Sequence, residues 1–368
     1  MIKMAKFFNL KVSDITRETA DCVSVAFEVP QEARDSFKFV QGQYITFKLF
    51  VNGVELRRSY SICTSPLTDN ELRIAVKKVM DGRASVYFNE HLRVGDVVQA
   101  MPPLGNFYTP LNPENRKHYI LFTGGSGITP MLSILKTTIE AEPKSKITMF
   151  YGNQDEAAII FKKQLDLLAE KHKERLKIYH ILNVPVLENN KIDPLFMGIM
   201  IPEKNKELVK RFVDLNDDNE FFICGPSGMM NSVVEALNLL QIPKSRVHLE
   251  YFTPPEDTSE VVENPDGMTE DNSTFKSIVT IICDGEETVL SLGADDVILD
   301  AALEANIDAP YACRGGSCCT CRAKLIEGKV VMKVNYALLD NEVNQGYILT
   351  CQSIPVTEKV IVNYDQGT

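Results

Sequence analysis

The pattern of apolar and polar positions changes twice along the chain. Up to residue 111, short runs such as SVAFEVP, YITFKLF and LRIAVKKV alternate apolar with polar residues, and the NG of Asn52-Gly53 and the DG of Asp81-Gly82 lie between runs. Short alternating strands separated by turn signals are typical of antiparallel barrels and sandwiches. We therefore expect residues 1–111 to form an antiparallel β-barrel.

From residue 112 to residue 252, apolar strands alternate with helix-like segments. The runs HYILFTGG, KITMFYGN, KIYHILN and EFFICGP are separated by segments that include ITPMLSILKTTIEAE and AAIIFKKQLDLLAEKHKERL, whose apolar residues lie three and four positions apart. This alternation predicts a parallel sheet with helices on both faces. The change of pattern coincides with Pro102, Pro103, Pro110 and Pro113.

A third pattern begins after residue 252. Residues 253–274 are rich in proline, hold seven acidic and no basic residues, and contain few large apolar side chains. Such a segment buries too little to order itself, so we expect a flexible, extended linker. Residues 275–368 then predict a small α+β domain, in which FKSIVTIICDGEETVLSL is a hairpin and DVILDAALEAN a helix.

The distribution of charge and of apolar residues limits the partners that the protein can have. The chain has 368 residues and a net charge of −11, and residues 275–368 hold 13 acidic and 7 basic residues. An acidic surface repels phosphates, so we expect no nucleic-acid partner. It would suit a protein with a basic face, or it is an ordinary solvated surface. The sequence contains no apolar run of membrane-spanning length and its start does not resemble a signal peptide, which predicts no membrane partner and a cytoplasmic location.

Four of the nine cysteines stand at a spacing with chemical meaning. Cys313-x4-Cys318-x2-Cys321, with 29 residues between Cys321 and Cys351, is the spacing of plant-type 2Fe-2S clusters. The spacing selects Cys318 as a ligand and leaves the adjacent Cys319 as a non-ligand whose role the sequence does not define.

Two glycines in the same loop fit this hypothesis. Gly315 and Gly316 permit positive φ and let backbone N–H groups approach negatively charged sulfides. Structural zinc is the main alternative. Zinc sites usually pair two short Cys-x2–4-Cys knuckles or use histidine, however, and Cys351 has no cysteine or histidine close to it. Free thiols are the remaining possibility.

Two glycine-rich turns follow predicted strands. TGGSGITP (Thr123–Pro130) follows HYILF and opens a helix, where backbone N–H groups can bind a pyrophosphate. CGPSGM (Cys224–Met229) places a second turn at the carboxyl edge of the sheet, where ligands bind in such folds. Glycine turns are common, however, and Cys224 is either a nicotinamide contact or simply a buried thiol.

The first segment contains two further candidates. Strand alternation in RRSYSICTS puts Arg58 and Tyr60 on one face and Ser61 on the other. Arg58 offers a fork for a phosphate, Tyr60 a ring for stacking and Ser61 a hydroxyl. Gly82–Ser85 would begin a helix that receives a second phosphate. The alternative is that Arg58 and Tyr60 bind no ligand and simply face solvent on a barrel strand.

Taken together, these motifs resemble a known family. Arg58-x-Tyr60-Ser61, GRAS, TGGSGITP, CGPSGM and HLEYF occur in the order found in the ferredoxin–NADP reductase family, and APYACRGGSCCTCRAKLIEG with GYILTCQS resembles a plant-type ferredoxin domain. The domain order is similar to that of oxygenase reductases of the phenylacetyl-CoA epoxidase type. The resemblance implies an FAD-binding barrel, an NAD(P)-binding α/β domain and a β-grasp ferredoxin domain. The implied activity is electron transfer from NADH or NADPH through FAD and a 2Fe-2S cluster to an oxygenase or another acceptor protein.

The resemblance also implies roles for individual residues. It gives Ser61, Cys224 and Glu250 catalytic roles beside the flavin and nicotinamide rings. The implied metal ligands are Cys313, Cys318, Cys321 and Cys351. The cofactor-binding residues are Arg58, Ser59, Tyr60, Ser61, Val76, Lys77, Gly82, Arg83, Ala84, Ser85, Thr123, Gly124, Gly125, Ser126, Gly127, Thr129, Pro130, Cys224, Gly225, Pro226 and Phe252.

Two alternatives stay open at this point. Gln154 and Asp155 follow the second strand of the parallel sheet and offer no basic neighbour for a 2′-phosphate, which favours NADH, although Lys162 and Lys163 lie further along. The chain could also be a stand-alone flavin and iron–sulfur reductase that acts on a small molecule, or an interaction protein with a zinc module. The sequence does not identify an oxygenase or its substrate, nor the oligomeric state.

Overall fold

The computed structural model describes residues 6–185, 193–254 and 276–367. The predicted linker, residues 253–274, therefore lies outside the described residues except for Thr253 and Pro254. Among the helices of these ranges, none is long and apolar enough to cross a membrane. The described residues form three larger sheets, each with its own hydrophobic core.

The first sheet is an antiparallel barrel. Its elements are β1 (Phe8–Thr19), β2 (Cys22–Glu28), β3 (Tyr44–Val51), β4 (Val54–Ser61), β5 (Leu72–Lys77), the short helix α1 (Arg83–Val86), which continues as a π-type turn over Tyr87–His91, and β6 (Val97–Ala100). The described strands pair in the order β4-β3-β6-β1-β2-β5. A bridge between Ile62, just after β4, and Ile74 in β5 joins the two edges and closes the barrel. The predicted NG turn joins β3 to β4, with positive φ at Asn52 and Gly53.

The second sheet is parallel and carries helices on both faces, as predicted. Its elements are β7 (Lys117–Gly124), α2 (Ile128–Ala141), β8 (Lys146–Asn153), α3 (Lys162–Lys171), β9 (Leu176–Leu182), α4 (Pro202–Phe212), β10 (Asp218–Cys224), α5 (Ser227–Leu239) and β11 (Val247–Glu250). The strand order is β11-β10-β7-β8-β9. Residues of α2 and α3 pack on one face and residues of α4 and α5 on the other.

One predicted helical segment is shorter than expected. The pattern of AAIIFKKQLDLLAEKHKERL favours a helix from residue 157 onward, but α3 begins only at Lys162. Ile159, Ile160 and Phe161 are all buried, and Phe161 has φ of 62°. Three consecutive apolar side chains cannot all face the core from one side of a helix. The chain instead buries them in an irregular segment and starts the helix afterwards.

The third sheet is mixed and has the predicted β-grasp character. Its elements are β12 (Lys276–Cys283), β13 (Glu286–Gly293), α6 (Ile298–Glu304), β14 (Arg322–Glu327), β16 (Tyr347–Leu349) and β18 (Lys359–Asn363), beside the helix α7 (Asp340–Asn344) and a small ribbon of β15 (Val330–Met332) and β17 (Ser353–Pro355). The order is β13-β12-β18-β14-β16, with β12 and β18 parallel. The predicted hairpin turns at Asp284 and Gly285, both with positive φ. Helix α6 buries Ile298 and Leu299 in the core of this sheet.

Candidate functional site

The two glycine-rich turns meet at the point where the strand order of the parallel sheet reverses. β7 and β10 are neighbours, so the turns that follow them lie side by side at the carboxyl edge. A Cβ atom on Gly127 would lie 2.1 Å from the carbonyl oxygen of Cys224, and one on Gly124 would lie 2.9 Å from Cδ of Pro226. Only glycine permits this approach. The arrangement creates the crevice in which open α/β sheets bind ligands.

A cavity of about 710 Å³ opens at this crevice. This volume lies within the usual range for binding pockets, and glycine backbone contributes to its wall. At the end of β8, Asn153 is buried and its side-chain amide has no hydrogen-bond partner among the described residues. A ligand in the cavity would satisfy that amide. The lining residues are Lys77, Gly124, Gly125, Gly152, Asn153, Gln154, Ile181, Asn183, Gly198, Ile199, Met200, Ile201, Pro202, Pro226, Gly228, Met229, Asn231, Ser232 and Glu235.

The structure brings only part of the predicted dinucleotide set into this cavity. Gly124, Gly125 and Pro226 line it, together with Lys77. The other predicted residues, which do not line it, are Thr123, Ser126, Gly127, Thr129, Pro130, Cys224 and Gly225. Most of these are buried at the strand ends or in the first turn of α2.

A second cavity, of about 510 Å³, lies where the barrel meets the cysteine loop. Its walls come from β4, from the segment that follows β11 and from the loop before β14. Five of the residues predicted to lie beside the flavin line it: Arg58, Ser59, Ser61, Glu250 and Phe252. The other lining residues are Tyr44, Glu55, Leu56, Arg57, Tyr251, Thr253, Pro254, Tyr311, Ala312, Cys313, Arg314, Ser317 and Cys318.

Ser61 and Glu250 form a hydrogen-bonded pair in the wall of this second cavity. The Ser61 hydroxyl donates to Oε2 of Glu250 at 3.2 Å. Burial raises the pKa of Glu250 to about 8, and the Ser61 hydrogen bond offsets only part of that shift. Cys224 lies beside Glu250 in the sheet, and burial raises the pKa of its thiol well above the usual value. At neutral pH the pair therefore holds a proton on the carboxyl group, whereas Cys224 stays a neutral thiol.

Several predicted flavin residues lie elsewhere in the barrel. Tyr60 is on the opposite face of β4 from Ser61, and its ring packs edge-on against Phe88 with centroids 5.1 Å apart. Gly82 precedes α1 as predicted, but the Ser85 hydroxyl accepts from the backbone N–H of Val79 within the turn. The residues of this group that do not line the second cavity are Tyr60, Val76, Gly82, Arg83, Ala84 and Ser85.

The four spaced cysteines come together at one end of the third sheet. The Cys318 thiol donates to Sγ of Cys313 at 3.2 Å, and this is the main reason that the pKa of Cys313 is lowered. Cys351, in the turn after β16, contacts both Cys313 and Cys321. The backbone N–H of Gly315 also points to Sγ of Cys313, at 3.4 Å. The loop thus supplies three of the four thiols and a backbone donor for sulfur, and the turn after β16 supplies the fourth thiol.

Cys319 points away from this group. Its thiol donates to the carbonyl oxygen of Ala337 at 3.2 Å, and its side chain is part of the hydrophobic core. The divergence of Cys318 and Cys319 is what adjacent positions in a tight loop produce. The geometry therefore agrees with a ligand set that skips Cys319.

The four thiols suit an iron–sulfur cluster better than a single zinc ion. The sulfurs are in contact in the order Cys318, Cys313, Cys351 and Cys321. Structural zinc needs four ligands at about 2.3 Å from one point. A pair of irons bridged by sulfides fits a donor set that is spread in this way.

Two residues of the second cavity had no local signal in the sequence. Tyr44 and the buried Arg57 both contact the cysteine loop, although they belong to the barrel. Their partners lie more than 250 residues away in the chain. Such contacts depend on how the sheets pack against each other, so no strand pattern or motif marks them.

Comparisons with known proteins agree with this architecture. Family profiles described as "Oxidoreductase FAD-binding domain", "Oxidoreductase NAD-binding domain" and "2Fe-2S iron-sulfur cluster binding domain" match residues 9–108, 121–235 and 281–356. The chain is 38% identical over 363 residues to a subunit of 1,2-phenylacetyl-CoA epoxidase from Escherichia coli (strain K12), covering 98% of this chain and 99% of that protein. The chain belongs to the family of FAD-, NAD- and 2Fe-2S-binding reductase components.

Other relatives of this reductase have the same arrangement. It is 33% identical over 358 residues to the ferredoxin reductase component of 3-ketosteroid-9-alpha-monooxygenase from Rhodococcus rhodochrous, covering 96% of each chain. Among solved structures, phthalate dioxygenase reductase matches with a TM-score of 0.57 and 24% identity over 97% of this chain and 98% of that one. An intact type IV self-sufficient cytochrome P450 monooxygenase matches with a TM-score of 0.67 and 21% identity, covering 98% of this chain and 42% of that one. The structural matches support the fold.

Proposed function

We propose that this reductase carries electrons from NADH through FAD and a 2Fe-2S cluster to an oxygenase of the phenylacetyl-CoA epoxidase type. One observation carries the proposal. The cavity lined by Ser61 and Phe252 is also lined by Cys313 and Cys318, so a flavin bound there lies directly against two predicted cluster ligands. When bound, FAD exchanges two electrons with a nicotinamide and single electrons with a 2Fe-2S cluster.

In this proposal, residues of the second cavity hold the flavin. Arg58 supplies a guanidinium fork for phosphate, and Ser59 and Ser61 supply hydroxyl groups. The Ser61–Glu250 pair holds a proton beside the ring-binding region. Phe252 is 41% exposed and forms part of the wall, so its ring can cover the cavity against water. Tyr60, Val76 and the Gly82–Ser85 turn remain predicted flavin contacts.

The first cavity is the proposed dinucleotide site. Gly124 and Gly125 offer backbone N–H groups at the start of the helical segment, where the positive end of α2 favours a pyrophosphate. Gln154 lines the cavity without offering a positive charge, and Glu235 lines it with the opposite charge. Lys77, the cation of this lining, lies beside Gly125 at the proposed pyrophosphate position, so Gln154 and Glu235 leave a 2′-phosphate without a positive partner and support NADH over NADPH.

The domain boundaries and the cluster ligands follow the same proposal. FAD binds within residues 1–111, the dinucleotide within 112–252 and the cluster within 275–368, with residues 253–274 as the linker. Cys313, Cys318, Cys321 and Cys351 hold the cluster. None of the nine cysteines, all of which lie in the described ranges, forms a disulfide, which supports a reducing, cytoplasmic location.

The proposed partner is an oxygenase component in phenylacetate catabolism. The support is the 38% identity to an epoxidase subunit over almost the whole of both chains. The acidic balance of residues 275–368 would favour a partner with a basic docking face. A stand-alone reductase acting on a small molecule is the second candidate, because the same cavities would serve it.

The test is reconstitution. The purified reductase, with FAD, iron and sulfide verified, is mixed with NADH and the epoxidase oxygenase subunits, and consumption of phenylacetyl-CoA is followed. Turnover that needs all components supports the proposal. Rapid NADH oxidation with small quinones, but no electron delivery to the oxygenase, would favour the second candidate. A parallel assay with NADPH measures the preference between the two nucleotides.

A further inference from the structure

The barrel holds the cysteine loop, residues 308–321, by polar contacts at both of its ends. Thr46, in β3, exchanges a hydrogen bond with Thr320 at 3.0 Å. The backbone N–H of Cys319 donates to the Tyr44 hydroxyl at 2.8 Å. The third contact, made by Arg57, lies at the other end of the loop. Together they attach both sides of the loop to two adjacent strands of the barrel.

Arg57 makes the most extensive of these contacts. Its side chain is only 4% exposed, and its guanidinium donates to Oδ1 of Asp308 at 2.5 Å and to the carbonyl oxygen of Ala309 at 3.1 Å. It also lies 4.4 Å from the centroid of the Tyr311 ring. Its remaining Nε–H donates to Glu55 at 2.8 Å. The guanidinium group of Arg57 therefore binds Asp308 and Ala309, in the segment that leads into Cys313.

These contacts lie in the wall of the proposed flavin cavity. Arg57, Tyr311 and Cys313 all line it. Because Asp308 and Ala309 lead directly into Tyr311 and Cys313, the position of Arg57 fixes how close the ligand loop lies to the cavity. Arg58 does not share this role, because its side chain is exposed and donates to the carbonyl oxygen of Arg57.

We propose that Arg57 is a positioning residue for electron transfer between the flavin cavity and the cysteine loop, acting through Asp308 and Ala309. This inference rests on the proposed function. Transfer of single electrons slows steeply with distance, so a loop that is free to move away from the cavity would receive them slowly. The Asp308 side chain is 63% exposed, so it can be solvated when the contact opens. Lys48 also lies 3.6 Å from the Asp308 carboxylate, so the barrel binds this carboxylate with two cations, of which only Arg57 also reaches Ala309.

The test uses the complete protein with FAD, iron and sulfide contents measured. Arg57→Ala and Asp308→Asn are compared with Lys359→Ala, which removes a salt bridge to Glu327 within the third sheet. Anaerobic rapid mixing with NADH separates bleaching of the flavin from the later reduction of the cluster. Hydrogen exchange of a peptide that contains Cys319 gives a second reading, because its amide is bonded to Tyr44.

We expect Arg57→Ala and Asp308→Asn to bleach the flavin at the normal rate and to reduce the cluster about tenfold more slowly, or worse. Arg57→Lys keeps the positive charge but lacks the guanidinium fork, so its rate of cluster reduction should lie between those of the unsubstituted protein and Arg57→Ala. Exchange at Cys319 should accelerate in Arg57→Ala and stay normal in Lys359→Ala. If Arg57→Ala does not fold, the rate of cluster reduction in Asp308→Asn tests the inference by itself.

Three results would overturn the inference. These are an unchanged rate of cluster reduction, an equal slowing of both steps, and unchanged exchange at Cys319. Failure of the proposed function gives a different pattern, because the unsubstituted protein would then pass no electrons from nicotinamide through flavin to the cluster.

Discussion

The hydroxyl of Tyr44 accepts the backbone N–H of Cys319, a residue 275 positions further along the chain, at 2.8 Å. Tyr44 is 6% exposed and pairs with Ser61 across the β3–β4 ladder. Gly105 makes room for its ring, since a Cβ there would lie 3.0 Å from the ring carbons. One tyrosine therefore touches both the proposed flavin wall and the proposed ligand loop.

Tyr44→Phe should loosen the cysteine loop. The substitution leaves the buried amide of Cys319 without an acceptor, which costs about 1–3 kcal/mol. We expect a lower urea midpoint for loss of the cluster absorbance, with normal flavin content. Tyr108→Phe is the control, because the Tyr108 hydroxyl makes no hydrogen bond with a described residue. An unchanged midpoint in Tyr44→Phe would show that the contact contributes nothing to the stability of the loop.

The neighbouring cysteines give a matched pair for testing the ligand set. Cys318→Ser should abolish the 2Fe-2S cluster, because it removes one of four thiolates. Cys319→Ser should keep it, because a serine hydroxyl can still donate to Ala337. Iron and acid-labile sulfide are measured per flavin in both variants. Loss of the cluster in Cys319→Ser with retention in Cys318→Ser would reverse the assignment.

Local patterns were sufficient to predict most of the architecture. The NG pair at Asn52-Gly53 and the DG pair at Asp284-Gly285 form hairpin turns because their backbone conformation depends on those residues alone. Because these features depend on residues that are near one another in the chain, the sequence is enough to predict them.

Contacts between the sheets could not be derived in this way. In RRSYS, the family motif includes Arg58 but not Arg57, so the sequence predicted a role for Arg58 alone. The partner of Arg57 is Asp308, which is too distant in the chain for a local pattern to indicate the contact. Tyr44 has no motif at all. The start of α3 also depended on tertiary packing, since burial of Ile159, Ile160 and Phe161 outweighed the helical pattern.

The nucleotide preference can be shifted at one position. Gln154→Arg places a guanidinium in the first cavity, where it can pair with a 2′-phosphate. We expect kcat/KM for NADPH to rise about tenfold, equivalent to about 1.4 kcal/mol, with little change for NADH. Gln164→Arg on α3 makes the same charge change outside the cavity lining and is the control. An equal gain in both variants would indicate general electrostatic attraction rather than a specific contact.

Glu250 should make the stability of the protein depend on pH. Its folded-state pKa of about 8 lies above the value of 4.5 for an unperturbed carboxyl. Between these values the folded state holds the proton more tightly than the unfolded state does, so this group lowers stability as pH rises from 4.5 through about 8. Glu250→Gln cannot ionise and removes that loss.

The expected result is a free energy of unfolding that falls less steeply with pH in Glu250→Gln than in the unsubstituted protein. The measurement is urea unfolding at a series of pH values from about 5 to about 9, with flavin content held constant. Glu304→Gln, on the exposed side of α6, serves as the control and should follow the unsubstituted protein. Parallel curves for all three proteins would mean that the Glu250 carboxyl titrates in the folded state as it does in the unfolded chain. The Ser61–Glu250 pair would then hold no proton at neutral pH, and its proposed role as a proton holder beside the flavin would have to be abandoned.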